Sequence, residues 1–201
     1  MATADVAAAS SRGFTLIELM TGIAILALLF LLGMPSFITY LRNSEIRSTS
    51  ESLINGLRTA SAEATRRNSR VAFTLADANG SWLIRTINDP TTDTDCTHFT
   101  AGDPIQQFAA GETRTGALVT APNGKSSVCF TGLGRVFNQG TAGDHMQQLD
   151  ITRSDGGEGR ALRIIVDDAV APADPTKPRG LRMCDPAPAL AALIPPDPRA
   201  C

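Results

Sequence analysis

The first quarter of the chain contains a long stretch without charge. No charged residue occurs from Leu19 to Tyr40, and the residues from Ile23 to Leu32 are apolar on every face of a helix. Such a helix requires lipid or an apolar packing partner, and about 20 residues cross a bilayer core at roughly 1.5 Å per residue. A cleaved secretory signal fits poorly, because this apolar region runs on into an amphipathic helix without a small-residue cleavage site. The stretch therefore predicts a membrane-spanning helix.

A carboxylate stands at the head of this stretch. Glu18 directly precedes Leu19, the first residue of the uncharged run. A carboxylate at the edge of hydrocarbon is costly unless a cation pairs with it. Glu18 is therefore expected to have a cationic partner.

The residues around Glu18 resemble a known processing site. The string from Arg12 to Met20 reads RGFTLIELM, and it resembles the class III leader junction of type IV pilins and type II secretion pseudopilins. The resemblance rests on the leader glycine, the aromatic first residue and the glutamate at the fifth mature position. It implies that a prepilin peptidase cuts after Gly13 and N-methylates Phe14. The cationic amino terminus of a neighbouring subunit would then neutralise Glu18 in a filament.

The leader is residues 1–13, and its only basic side chain is Arg12. A basic residue just before a span favours a cytoplasmic leader, so that segment 14–40 crosses the inner membrane once and the head is periplasmic. Pro35 lies late in the span, where a missing backbone donor bends a helix. A proline at this depth also resembles pilins, whose helix loosens there during assembly, and a simple kink at the exit of the span is an equal alternative.

The middle of the chain predicts one helix followed by an antiparallel sheet, which is an α+β, pilin-like fold. Residues 36–67 have an amphipathic period, and Asn79-Gly80 is a hairpin signal. The expected buried stripe of the helix comprises Ile46, Ser50, Leu53, Leu57, Ala60 and Ala64. The expected strands are Val71–Leu75, Trp82–Ile87, Gly116–Thr120, Ser127–Phe130, Gln148–Thr152 and Arg160–Val166.

Two head segments resemble the FimT, FimU and GspH group of minor pilins and pseudopilins. These segments are the helix end from Leu57 to Asn68 and the turn from Phe130 to Arg135. The likeness is good over roughly residues 11–75 and looser beyond them. It implies other major and minor pilins or pseudopilins as partners, besides the prepilin peptidase and inner-membrane lipid. The head is assigned to residues 41–166.

Residues 167–201 form a longer, proline-rich tail than the short members of that group have. Fixed backbone angles and missing donors predict a poor helix or sheet, so we expect the tail to wrap the head or project from it. An even number of cysteines beside an export signal favours disulfides. Three pairings are open, and sequential order favours Cys96 with Cys129 and Cys184 with Cys201, where the second bond would pin the tail.

The sequence contains no motif for catalysis, a metal or a cofactor. It has no nucleophile elbow, HExxH, P-loop or dinucleotide fingerprint. It has no CxxC pair, and its two histidines, His98 and His145, lie in segments that predict exposed loops. The chain is therefore predicted to assemble rather than catalyse.

Nucleic-acid capture is an alternative function. The formal net charge of -2 lacks a basic field, but arginine suits bidentate phosphate contacts. Some FimT-like pilins are associated with DNA uptake through arginines near the C-terminus. The positions that partly resemble that arrangement are Arg160, Arg163, Arg179 and Arg182. The main prediction is a minor pilin of a type IV pilus, with a type II secretion pseudopilin as its nearest alternative.

Overall fold

The computed structural model describes residues 13–87, 104–110, 116–137, 145–156, 159–166, 180–187 and 199–201. Along the chain it contains one helix, α1 (Leu16–Arg67), and then eight strands within these residues. The strands are β1 (Val71–Leu75), β2 (Trp82–Thr86), β3 (Gln106–Phe108), β4 (Ala117–Thr120), β5 (Ser127–Phe130), β6 (Gln148–Arg153), β7 (Leu162–Ile165) and β8 (Arg182–Cys184). The chain divides into two compact units, Met1–Tyr40 and Leu41–Cys201. We call the second unit the head.

The α+β, pilin-like fold is confirmed, but the single predicted sheet is wrong. The described strands form two four-stranded antiparallel sheets, in the orders β3-β2-β1-β5 and β4-β6-β7-β8. Backbone hydrogen bonds join them, from Met146 N to Ser127 O and from Val119 N to Ala78 O, both at 2.8 Å. Alternating hydrophobicity identifies a strand without identifying its neighbour, and for that reason the division into two sheets was missed.

The head part of α1 packs on both sheets through one apolar face. All six residues of the predicted stripe are buried, and Leu53, Leu57, Ala60 and Ala64 are completely so. The five apolar residues of the stripe share one hydrophobic cluster with Phe73 and Ile84 of the first sheet and with Leu149, Ile151 and Ile164 of the second. Burying side chains of this size stabilises a fold by about 1.5–3 kcal/mol each, so this stripe fixes the helix to the sheets.

The end of α1 and the turn between β1 and β2 are both stabilised by local hydrogen bonds. Asn68 follows the last helical residue with φ 46°, and Ser69 N donates to Ala64 O while Asn68 N donates to Thr65 O. This is the Schellman arrangement, in which a left-handed residue ends a helix. The predicted hairpin between β1 and β2 is confirmed, since Gly80 has φ 91° and Asp77 Oδ1 accepts from Asn79 N at 2.8 Å.

The prediction that the proline-rich tail forms a poor helix or sheet is wrong for one segment. Residues Arg182–Cys184 form β8, which pairs with β7 through Arg163↔Cys184 and Ile165↔Arg182. Asp185 then forms a parallel bridge with Ala200. The three residues before Asp185 contain no proline, and each of them keeps the backbone donor that a strand requires.

Candidate functional site

The predicted cleavage point lies at the start of the described residues. Gly13 and Phe14 are in irregular backbone that precedes α1, and an added Cβ at Gly13 would meet no atom within 4 Å. The Phe14 side chain is 90% exposed. Both residues are therefore accessible to an enzyme, whereas the leader residues 1–12 lie outside the described residues. Cleavage and N-methylation stay predictions.

Glu18 forms a helix cap with Thr15. Thr15 directly precedes the first helical residue, and its N and Oγ1 donate to Glu18 Oε2 at 3.0 and 2.9 Å. In return Glu18 N donates to Thr15 Oγ1 at 3.3 Å. This is a capping box, in which a threonine and a glutamate three residues later satisfy backbone donors at a helix start. The negative charge is also favoured there by the helix dipole.

The capping role of Thr15 was missed at the level of sequence. The pattern Thr-x-x-Glu before an apolar run, present here as Thr15-Leu16-Ile17-Glu18, is a signature of a helix start and would have revealed it. The hydrogen bonds to Thr15 satisfy Glu18 as a helix cap. They supply no positive charge to balance the carboxylate in an apolar environment.

The apolar part of α1 has the length and composition of a membrane span. Residues Leu16–Met34 have a mean hydropathy of 2.4, and they form the one such helix among the described residues. Every large apolar side chain between Leu16 and Met34 is more than half exposed. A contiguous apolar surface of this extent requires lipid or other subunits. The helix continues through Pro35 without a break in its secondary structure, and the predicted bend stays a prediction.

The four arginines named for nucleic-acid capture have different surroundings. Arg163 donates to Asp150 through Nε at 2.6 Å and Nη2 at 3.0 Å, and this hydrogen-bonded ion pair raises the pKa of Arg163. Arg160 forms a short ion pair with Asp185, whose side chain is only 5% exposed. Arg182 lies in β8 and is partly buried, and Arg179 lies outside the described residues. The structure therefore pairs two of the four arginines with carboxylates, Arg160 with Asp185 and Arg163 with Asp150.

One predicted disulfide is present in the described residues. Cys184 and Cys201 are bonded, with their Cα atoms 5.2 Å apart, which confirms this pair. Cys129 is disulfide-bonded as well, but Cys96 lies outside the described residues, so its pairing with Cys129 stays a prediction.

The expectation of an exposed His145 is wrong. Its residue surface is 4% exposed, and its carbonyl oxygen accepts from Asn123 Nδ2 at 2.7 Å. His98 lies outside the described residues. No cluster of three metal-ligating side chains occurs in the part of the chain that the structure describes.

A long helix with an apolar, exposed first half, a carboxylate in its first turn and an antiparallel α+β head define a membrane-anchored protein of the type IV minor pilin and pseudopilin class. Two family models match the sequence. The prokaryotic N-terminal methylation motif matches residues 9–34, and the type II transport protein GspH matches residues 49–169, more than half of the chain. The chain belongs to the GspH family.

Two crystal structures of the type IV minor pilin FimU from Pseudomonas aeruginosa (strain PAO1) are similar to the chain. One is 16% identical and covers 63% of this chain and 86% of that chain with a TM-score of 0.41. The other, in a second crystal form, is 17% identical and covers 59% and 85% with a TM-score of 0.39. No curated protein in the comparison matches the sequence.

Proposed function

We propose that the chain is a minor subunit of a type IV pilus that primes or joins filament assembly. Prepilin peptidase removes residues 1–13 and methylates Phe14, and segment 14–40 then holds the subunit in the inner membrane with its head in the periplasm. The observation that carries the proposal is the exposed apolar helix with one carboxylate, Glu18, in its first turn. Membership of the GspH family and the N-terminal methylation motif support it.

The charge of Glu18 gives this helix a reason to assemble in one register. Inside a bundle of such helices the carboxylate is surrounded by apolar side chains, where an unpaired charge costs several kcal/mol, about 3–5 by comparison with broken buried ion pairs. The cationic amino terminus of a neighbouring Phe14 removes that cost. Only the axial offset that joins the two groups is then favourable.

A type II secretion pseudopilin is the second candidate, and the description of the matching family favours it. We favour the pilus because the tail is secured by the Cys184–Cys201 bond, which suits a head exposed to shear and proteolysis at a filament tip. Deletion of the gene, with separate assays of surface pili and of type II secretion, distinguishes the two. Loss of secretion with normal piliation would select the pseudopilin.

The proposed role is assembly and not catalysis, and DNA capture is not part of it. Arg160 forms an ion pair with Asp185, and Arg163 forms one with Asp150. These carboxylates neutralise the charge of the two arginines locally. We expect the head to cause no salt-sensitive gel shift of DNA. A shift that weakens steeply with salt would restore the alternative, because counterion release makes phosphate binding salt-dependent.

Mass spectrometry of the mature protein tests the processing step. The expected protein starts at N-methylated Phe14, and Gly13→Leu is expected to leave an uncut precursor. Glu18→Ala is expected to be cut normally and to remain in the inner membrane, but to be depleted from sheared filaments. A different mature start residue would refute the peptidase assignment, and normal incorporation of Glu18→Ala would refute the charge pairing.

A further inference from the structure

The turn of residues 131–135, which follows β5, presents a leucine to solvent. Leu133 is 83% exposed, a larger fraction than for any other large apolar residue that the structure describes in the head. Beyond α1, the one other large apolar residue that is exposed among the described residues is Met183, at 38%. A single exposed leucine is ordinary on a protein surface. The support beneath Leu133 and the charges beside it therefore decide whether the turn is a contact site.

Hydrogen bonds within the turn fix the backbone that carries Leu133. Thr131 N donates to Arg135 O, and Gly134 N donates to Thr131 O, both at 2.8 Å. The Thr131 hydroxyl donates to Arg135 O at 3.2 Å and accepts from Leu133 N at 3.4 Å. The backbone is therefore held on both sides of the exposed leucine.

The turn is also fixed to the end of α1. Ser61 Oγ donates to Gly134 O at 2.8 Å, and an added Cβ at Gly134 would lie 3.1 Å from the same hydroxyl. An added Cβ at Gly132 would lie 2.7 Å from Asn68 Oδ1. Glycines on either side of Leu133 thus allow the turn to lie directly on the helix. An apolar side chain on so rigid a support requires little further ordering of the backbone when a partner buries it.

Two exposed arginines flank the turn. Arg135 ends it, and Arg58 lies on α1 one helical turn before Ser61, the residue that holds the turn. Neither arginine forms an ion pair with any residue that the structure describes, in contrast to the two arginines that share Glu63. The surface is therefore apolar at Leu133 and cationic at its edge.

This combination of groups defines the chemistry of a partner. A protruding leucine is stabilised by an apolar pocket that removes it from water. Exposed guanidinium groups beside it favour carboxylates, with which they form charge-assisted hydrogen bonds. A folded protein surface offers an apolar pocket and carboxylates at its rim together.

We propose that the surface formed by Leu133, Arg135 and Arg58, which we call the turn surface, docks the head of another kind of filament subunit. An apolar pocket edged by aspartate or glutamate on that subunit receives Leu133. The contact is heterologous, because the leucine and the pocket belong to different surfaces. The inference rests on the proposed function, since the partner is a filament subunit, and it adds which face of this head makes the contact.

Site-specific photo-crosslinking of the full chain, in cells that assemble the filament, tests the proposal. A p-benzoylphenylalanine replaces Leu133, and mass spectrometry of sheared filaments is expected to find it joined to another pilin or pseudopilin, at a peptide that contains aspartate or glutamate. The control carries the same group in place of Asn79, which is exposed in the turn between β1 and β2, and is expected not to yield that adduct. Equal yields from the two positions, an adduct between two copies of this chain, or adducts with lipid alone would overturn the proposal.

Substitutions test the leucine and the charge separately. Leu133→Ala is expected to lower the ratio of filament to inner-membrane protein about tenfold, because it removes most of the apolar contact. Arg135→Gln is expected to lower the ratio about threefold, as for one exposed ion pair, whereas Arg135→Lys keeps the charge and is expected to lose less. Lys125→Gln removes an exposed positive charge from the turn between β4 and β5 and is expected to change nothing. Equal losses for Arg135→Gln and Lys125→Gln would overturn the site, because they would indicate general electrostatic attraction.

The same filaments separate this inference from the proposed function. If the parent chain were absent from them, the proposed function would be refuted and the turn surface with it. If the parent and Leu133→Ala entered filaments equally, only the turn surface would be refuted. Leu133 is exposed and the hydrogen bonds of the turn use its backbone alone, so the alanine variant is expected to fold and to reach the inner membrane in parental amount. Depletion from filaments at that parental amount is the result that supports the contact.

Discussion

At the scale of single residues, Glu18 has one observed role, as a helix cap, and one proposed role, in assembly, and the two roles depend on different properties of the same carboxylate. As a helix cap it needs only an acceptor oxygen, which receives the hydrogen bonds from Thr15. As an assembly residue it needs a negative charge. A glutamine keeps the acceptor and loses the charge, because glutamine also completes a capping box.

This difference yields a prediction about filament incorporation. Glu18→Gln is expected to retain the helix start but to be depleted from filaments, because the amide cannot pair with a cationic amino terminus. Thr15→Ala is expected to show the reverse, losing about 1 kcal/mol of capping while it still enters filaments. Quantitative blots of sheared filaments against inner membranes measure both. Equal incorporation of Glu18→Gln and the parent would contradict the role of charge.

The sequence singled out Glu18, whose charge pairing stays a prediction, but it could not foresee the arginine contacts. The cost of a carboxylate beside an apolar run is visible in the order of the residues. By contrast, Arg163 meets Asp150 because these residues stand directly opposite in the register of β6 and β7. Arg160 meets Asp185 across 25 residues of chain. Such pairs follow from register and topology, which no local pattern encodes.

At the scale of elements, the last turn of α1 is stabilised by a cluster of charges. Glu63 accepts from Arg66 at 2.7 Å and from Arg67 at 2.9 Å. These hydrogen bonds lower the pKa of Glu63 from 4.5 to about 2. Because the folded pKa lies below the unfolded one, the stabilisation is present above pH 4.5 and is lost as the pH falls towards 2.

The pH dependence of unfolding tests this cluster. Glu63→Gln is expected to lower the free energy of unfolding by about 1 kcal/mol at pH 7, a modest value because both arginines are solvent-exposed and screened. The difference between parent and variant is expected to shrink as the pH approaches 3. Urea unfolding of the intact chain in detergent measures it through Trp82, the single tryptophan. A difference that stays constant with pH would exclude the ion pairs as its cause.

The close packing of α1 on the first sheet depends on Gly56, which has no side chain. At Gly56 an added Cβ would lie 2.8 Å from Trp82 Cε2 and 2.9 Å from Phe73 Cε2, atoms of two rings that pack on each other. Glycine within a helix costs about 1 kcal/mol relative to alanine. The close approach of the rings explains why glycine is nonetheless compatible with this helix.

Alanine at this position tests the packing. Gly56→Ala gains helix propensity but forces the rings apart, and overpacking of a core costs about 1–3 kcal/mol. We therefore expect a net loss of stability and a shifted Trp82 emission in the same urea assay. The neighbouring Asn55→Ala, at an exposed helical position, is the control and is expected to be neutral or slightly stabilising. A stabilised Gly56→Ala with unchanged emission would contradict the close packing.

The elements with strong periodicity were predicted, and those without it were missed. The stripe of α1 alternates in threes and fours, and it is buried as expected. β1 and β5 have the predicted bounds, since each is a short run framed by turn or cap residues. β3 consists of Gln106, Gln107 and Phe108, too short and polar to show a period of two. β8 lies in the proline-rich tail. The proline content of the tail as a whole predicted no strand, although none of the three residues of β8 is a proline.

At the scale of the whole molecule, one core joins two sheets, and a covalent bond closes the tail onto the second of them. The cluster that contains Leu57, Phe73 and Ile151 extends across both sheets, whereas the tail reaches them through β8 and the bridge at Asp185. Among the described tail residues, 180–187 and 199–201, Leu181 is the one that packs against that hydrophobic core. In this part of the tail we therefore expect the disulfide to contribute much of the stability.

Removal of this bond tests how much it contributes to the stability of the tail. Cys184 and Cys201 are 17 residues apart, and closure of a loop of that size stabilises a fold by about 3 kcal/mol in the chain-entropy account. Replacement of both residues by serine is preferable to a reductant, which would also attack the bond at Cys129. The double variant is expected to unfold at lower urea concentration, and a protease is expected to trim its tail before Trp82 fluorescence changes. The opposite result would be that the tail and the core of the variant unfold together at the same urea concentration as the parent. The bond would then be dispensable, and the burial of Asp185 would hold the tail by itself.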